Sequence, residues 1–146
     1  MQIPEQLNAF DVPTLIAVTD NVQAKLFRAE GREVTLLTTL STKAEHEPQD
    51  RVAIRTGAGD MRSGEQQEHK HKREREQLYD ALSADLWRRF QNNEFEALAV
   101  CVPQEHANEL KETLHVELLK VADVWVEKHL TNDELLDIIT HVQEEM

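Results

Sequence analysis

Three apolar, β-branched segments near the start of the chain are separated by gaps too short to hold a helix. They read TLIAVTD (14–20), VQAKLFRAEG (22–31) and EVTLLTTLS (33–41), and each is typical of a β-strand. The turn-rich steps Asp20-Asn21 and Glu30-Gly31-Arg32 connect them. Because a parallel connection needs about a dozen residues or more, these strands are predicted to pair as an antiparallel meander.

The second half of the chain changes to alternating helix and strand patterns. A leucine or phenylalanine recurs every four residues from Leu78 to Phe90. This spacing predicts an amphipathic helix of about twenty residues that begins near Lys72. The apolar run FEALAVCVP (95–103) then predicts a fourth strand that is buried on both faces.

Two further helices and a fifth strand complete the alternation. Pro103 is expected to start a helix over QEHANELKETL (104–114), and ADVWV (122–126) marks the fifth strand. Thr131-Asn132-Asp133-Glu134 has the pattern of a capping box that opens a last helix. The apolar face of that helix holds Leu135, Ile138, Ile139 and Val142. The predicted fold class is α/β, with a mixed five-stranded sheet in the order β-β-β-loop-α-β-α-β-α and two or three layers.

Length and composition favour one globular unit of 146 residues. We expect a flexible N-terminal arm over 1–13 and a single α/β domain over 14–146, in which a long mobile loop spans 42–71. No apolar run approaches the roughly 20 residues that span a bilayer, and no secretory signal pattern opens the chain. The single cysteine, Cys101, lies in an apolar run. These features predict a cytoplasmic protein with a buried, inert thiol and no membrane partner.

Charge is distributed unevenly along the chain. The whole chain carries −12, whereas residues 51–76 hold seven basic and five acidic side chains, a local +2 that leaves −14 elsewhere. The same stretch holds Gly57, Gly59 and Gly64, three of the four glycines. Because an acidic body repels nucleic acid, this basic, glycine-bearing stretch is the part suited to phosphate contact. Its charges are interleaved, so a solvated helix surface is the alternative interpretation.

Established catalytic and cofactor motifs are absent from the sequence. There is no G-x-S-x-G elbow, and Gly57-Ala58-Gly59 fits neither phosphate-loop pattern. His69 and His71 lie two residues apart and would share a metal ion only on an extended segment. No Cys-pair or H-E-x-x-H spacing supports such a site. We therefore predict no cofactor and no metal.

The motifs of the first three strands resemble the bacterial host-attachment protein family. The family's V-x-D, A-R-[LI]-F and glycine steps correspond here to Val18-Thr19-Asp20, Ala24-Lys25-Leu26-Phe27 and Gly31. Segments 98–103 and 124–131 are also similar to it, so the likeness covers most of 14–142. The resemblance implies a fold related to the middle domain of archaeal and eukaryotic peptide-chain release factors.

Release factors of that type carry a Gly-Gly-Gln loop before a long helix and place it in the peptidyl-transferase centre. At the corresponding place this chain has Ser63-Gly64-Glu65-Gln66. The departure favours a non-catalytic module that binds the ribosome or tRNA through loop 42–76. The expected binding residues are Arg55, Gly57, Gly59, Arg62, Gly64, Gln66, His69, His71, Lys72 and Arg73. One alternative is a hydrolase of peptidyl-tRNA-like esters in which Gln66, the only catalytic candidate, positions water. The other is a protein-interaction factor that affects host attachment indirectly.

Overall fold

Strands and helices alternate along the part of the chain that the structure describes. The structure is a computed structural model that describes residues 1–42 and 63–146, with side chains in the second range from residue 70 onward. The strands are β1 (Phe10–Thr19), β2 (Gln23–Gly31), β3 (Glu33–Ser41), β4 (Ala97–Cys101) and β5 (Ala122–Val126). The helices are α1 (Ser63–Gln91), α2 (Ala107–Thr113), α3 (Val116–Val121) and α4 (Leu135–Glu144), and a 3₁₀ turn at Gln104–His106 precedes α2.

The described strands form one mixed sheet in the order β3-β2-β1-β4-β5. β1, β2 and β3 pair antiparallel, whereas β4 pairs parallel with both β1 and β5. Local turn chemistry explains the meander. Asp20 Oδ1 accepts hydrogen bonds from the backbone N–H groups of Val22 (2.8 Å) and Gln23 (2.9 Å), and Gly31 adopts a φ of 61°. The predicted fold class, the meander and the parallel later strands are confirmed.

Side chains of the central strand β1 alternate between two apolar clusters, one on each face of the sheet. Leu15 and Ala17 belong to the cluster that contains the leucines of α1. Ile16 and Val18 belong to the cluster that contains the apolar face of α4. The sheet is therefore the middle of three layers, and the apolar faces predicted for α1 and α4 are confirmed.

Strand β1 begins inside the segment that we expected to be a flexible arm. It starts at Phe10, four residues before the predicted strand, and Phe10 is buried. Ile3 is also buried, and its backbone N–H donates to the carbonyl of Arg32 at 2.7 Å. These two apolar side chains anchor the segment, which was predicted to be flexible because most of its residues are polar. The predicted arm boundary at residue 13 is thus corrected.

Helix α1 begins at Ser63, nine residues before the predicted start near Lys72 and within the predicted loop 42–71. Its first turns are rich in Glu, Gln and Lys, which are favourable helix formers. Over 70–73 no side chain is buried, so no apolar periodicity marked these turns. Helix α3 was missed for a similar reason, because Leu118 is its one buried residue.

Thr131 does not cap α4, contrary to the predicted capping box. The N-cap residue is Glu134, and it makes no side-chain capping hydrogen bond. Thr131 is fully buried, and its hydroxyl donates to Asp20 Oδ2 at 2.6 Å. A buried carboxylate needs hydrogen-bond donors, and this tertiary requirement overrides the local capping pattern. The helix that this pattern predicted, α4, is nevertheless present.

Cys101 is buried at the end of β4, as predicted. Burial raises the pKa of its thiol to about 12. The predicted burial is confirmed, and a thiol with so high a pKa is expected to stay protonated and unreactive at neutral pH. Within the described residues, no helix is long and apolar enough to cross a membrane.

Candidate functional site

The carboxyl ends of β1, β4 and β5 lie at one edge of the sheet, which we call the carboxyl edge. Strand β3 runs in the same direction as β1, because both are antiparallel to β2, so it also ends there. The backbone N–H of Thr42 donates to the carbonyl of Val22 at 3.1 Å and holds this end in place. Open α/β sheets bind ligands outside the carboxyl ends of their strands. The predicted binding segment 42–76 therefore starts at the edge where a site is expected.

Asp20 is the buried polar centre of the carboxyl edge. It follows the last residue of β1 and is 7% exposed. Its Oδ1 accepts the two backbone N–H bonds of the β1–β2 turn, and its Oδ2 accepts the hydroxyl of Thr131, which follows β5. With three donors, the carboxylate is well satisfied. Asp20 thus ties the end of β1 to the segment before α4 and acts as a structural anchor.

Two basic side chains surround this anchor. The Lys25 ammonium donates to the carbonyl of Thr131 at 2.7 Å. His129 Nε2 lies 3.7 Å from Asp20 Oδ2, while its ring is 59% exposed. The segment after β5 is thus held next to the β1–β2 turn, because both contacts join the two: one is made to the carboxylate of Asp20 and the other to the carbonyl of Thr131.

A second cluster joins α1 to α2 at the same edge. Arg75 of α1 makes an ion pair with Glu109 of α2, with Nε 2.5 Å from Oε2. His106 Nδ1 lies 3.9 Å from the same Glu109 oxygen. The hydroxyl of Tyr79 is buried one turn after Arg75, and no described group hydrogen-bonds to it. Because it pairs with Glu109, the positive charge of Arg75 is neutralised within the protein.

Protonation states in this second cluster follow from burial and charge. Burial, reinforced by the negative charge of Glu109, raises the pKa of Tyr79 far above neutrality. Burial, with the positive charge of Arg75, lowers the pKa of His106. Burial and the neighbouring charges thus favour the neutral forms of both Tyr79 and His106 at pH 7.

The ten predicted binding residues fall into three groups. Arg55, Gly57, Gly59 and Arg62 lie outside the described residues. Gly64, Gln66 and His69 lie on the first turns of α1, in the range where only the backbone is described. His71, Lys72 and Arg73 are exposed on α1. Six of the ten residues thus lie on α1, and the role of all ten as binding residues stays a prediction.

The helical start of α1 corrects the expectation that these residues lie on a loop. Gly64, Gln66, His69 and His71 all belong to the helix. The backbone here is helical, so the extended segment on which the two histidines would have shared a metal ion is not formed. His71 instead lies 3.7 Å from Glu74 of the next turn. Among the described residues, no group of three metal-ligating side chains is assembled.

Sequence reasoning missed the residues that organise the carboxyl edge. Asp20 was visible as the acidic step after the first strand, but it was considered only as part of a motif and a turn. Thr131 was interpreted as a helix cap. Arg75 was counted with the free basic residues, although Glu109 neutralises it. No local signal reveals the last pair, because 34 residues separate its members.

A five-stranded mixed sheet, with a long helix preceding β4 and a polar carboxyl edge, defines a release-factor-like α/β domain. The chain belongs to bacterial archaeo-eukaryotic release factor family 12, whose sequence model matches residues 13–142. The match extends from within β1 to the apolar face of α4, so it includes both clusters of the carboxyl edge. No match was found among curated proteins. The predicted release-factor relationship is confirmed, whereas the host-attachment resemblance stays a prediction.

Proposed function

We propose that this protein is a non-catalytic, ribosome-associated module that contacts RNA through segment 42–76. The observation that carries the proposal is the pair of exposed basic residues Lys72 and Arg73, which stand at the carboxyl edge of an otherwise acidic protein. Membership of a release-factor family makes a ribosomal partner the most economical source of phosphate. The proposal implies a cytoplasmic location.

The electrostatics of α1 distinguish residues that can contact RNA from those that cannot. Neither Lys72 nor Arg73 forms an ion pair with any described residue, and both side chains face solvent. Arg75, by contrast, is only 14% exposed and pairs with Glu109, so its charge is not available to phosphate. Exposed, unpaired cations release counterions when they meet phosphate, whereas an internally paired arginine does not.

Co-sedimentation with ribosomes at increasing salt tests the proposal. The variant carries Lys72→Gln and Arg73→Gln, and a second variant adds Arg55→Gln and Arg62→Gln. Each lost phosphate contact is expected to reduce the slope of log affinity against log salt by about 0.7–0.9. The double variant should therefore lose about 1.5 units of slope and the quadruple variant about 3.

A matched control removes two positive charges from the opposite end of the molecule. Arg88 lies in the last turn of α1 and pairs with Asp85, and Lys120 lies at the end of α3 and pairs with Glu117. Arg88→Gln with Lys120→Gln makes the same change in net charge. The proposal is refuted if the wild type and the quadruple variant sediment equally with ribosomes. It is also refuted if the control loses as much ribosome binding as the double variant.

Hydrolysis of a peptidyl-tRNA-like ester is the second candidate, and the family relationship to release factors favours it. In this reading Gln66, on the first turns of α1, positions the attacking water. Release of the peptide from peptidyl-tRNA should then be lost in Gln66→Ala and retained in Gln67→Ala. An unchanged rate in Gln66→Ala removes this candidate.

An indirect role in host attachment is the third candidate function. Comparing host binding by cells with and without the protein tests it.

A further inference from the structure

The amino ends of β1, β4 and β5 frame a groove of ≈ 340 Å³ on the face of the sheet that α4 covers. This amino-edge groove lies at the opposite end of the strands from the carboxyl edge. At this end the register of β1 with β2 shifts between Phe10 and Thr14, and the pairing of β1 with β4 begins only at Thr14 and Ala97. Val12, between Phe10 and Thr14, is 40% exposed.

The groove has an apolar floor and an acidic rim. Phe10, Ala99, Val124 and Val142 form the floor and are part of the apolar cluster beneath α4. Asp11, Asp123 and Glu145 form the rim, and all three side chains are exposed. Within the described ranges, none of the three rim residues makes an ion pair, and no Lys, Arg or His lines the groove.

The end of α4 adds to this negative potential. Glu145 is the C-cap residue of α4, so the helix presents its last carbonyl groups beside the groove. The carboxyl end of a helix carries a partial negative charge. Three exposed carboxylates and a helix end of the same sign, around an apolar floor, complement a ligand that is apolar at its centre and cationic at its ends.

We propose that the amino-edge groove docks a short basic segment of a partner protein, with one or two apolar side chains on the floor and flanking Lys or Arg side chains on the rim. A groove of ≈ 340 Å³ is at the small end of the range for ligand pockets, which suits one or two side chains and not a folded domain. This proposal is independent of the RNA contact proposed for the carboxyl edge. The protein would then meet RNA at one end of its strands and a basic polypeptide at the other.

The experiment titrates the full chain with an acetylated, amidated hexapeptide that has a Phe-Leu centre and two lysines on each side. Calorimetry measures affinity at low and high salt, and amide chemical shifts locate the peptide. We expect saturable binding with shifts confined to the groove. Rim charges contribute modestly at a solvated surface, so Asp11→Asn, Asp123→Asn and Glu145→Gln together should weaken binding about tenfold.

Three controls make the outcome decisive. Glu112→Gln, Glu127→Gln and Asp133→Asn remove the same charge from exposed positions outside the groove and should leave affinity unchanged. A peptide with a Gly-Ser centre should lose binding, because it lacks the apolar contact. Any one of three results overturns the proposal: no binding, equal binding of the Gly-Ser peptide, or equal weakening by both triple variants. None of these results bears on ribosome binding by segment 42–76.

Discussion

Replacing Thr131 with valine removes one hydrogen bond and changes almost nothing else. The side chain is fully buried, and valine keeps its branched shape while replacing the hydroxyl with a methyl group. The lost bond is the donation to Asp20 Oδ2 at 2.6 Å. A hydrogen bond to a charged group contributes about 1.5–3 kcal/mol, so the free energy of unfolding should fall by about 2 kcal/mol. For a protein of this size the midpoint of thermal unfolding should fall by about 4–8 °C.

A double-mutant cycle separates this tertiary bond from a helix cap. Asp20→Ala removes the acceptor, so Thr131→Val should cost less than about 0.5 kcal/mol in that background. Urea unfolding followed by far-ultraviolet circular dichroism gives all four free energies. The matched control is Thr140→Val, because Thr140 donates only to the carbonyl of Leu136 within α4, and its cost should stay within about 0.5 kcal/mol.

The opposite pattern would refute this account of the carboxyl edge. If Thr131 stabilised α4 as a cap, Thr131→Val would cost about 1 kcal/mol in both backgrounds, since the cap does not involve Asp20. Equal costs with and without Asp20 would therefore show that the two side chains are not energetically coupled, and that the anchor at the end of β1 has another origin.

Two further predictions follow from the pKa shifts. Cys101, with a pKa of about 12, should react with a thiol reagent at pH 8 only as fast as the chain unfolds, and denaturant should accelerate the reaction. His106 should titrate below its ordinary value in nuclear magnetic resonance spectra, and Arg75→Gln should raise its pKa. Because protonation of His106 favours the unfolded chain, stability should fall as the pH drops from about 6.5 through the lower pKa that His106 has in the folded chain, and His106→Asn should abolish that fall.

The sheet could be predicted because its signals are local. The segments around Leu15 and Leu26 are apolar and β-branched, and the turns at Asp20 and Gly31 leave room only for antiparallel pairing. The apolar face of α4 was equally visible, since Ile138, Ile139 and Val142 recur at helical spacing and all three are buried. Where one face of a helix or strand is buried, apolar residues recur at the spacing of that element and can be recognised in the sequence.

The ends of elements and the site contacts were harder to predict for two physical reasons. The first turns of α1 bury no described side chain before Glu74, so pattern analysis had nothing to detect there. The contacts of Asp20 with Thr131 and of Arg75 with Glu109 join residues far apart in the chain. Such pairs are decided by the geometry of the folded sheet, and each partner alone suggests a different role, namely a turn, a cap or a free charge.

The length of α1 has a mechanical consequence. Its 29 residues extend about 43 Å, while the five residues of β4 beneath it extend about 17 Å. The first fully buried apolar side chain described on α1 is Leu78, about 22 Å from the start of the helix. The turns of α1 before Leu78 therefore extend past the carboxyl edge, and the ion pair of Arg75 with Glu109 lies near the point where packing against the body begins. Because these turns are part of one rigid helix, a partner that binds Lys72 and Arg73 would exert a torque on the whole three-layer body.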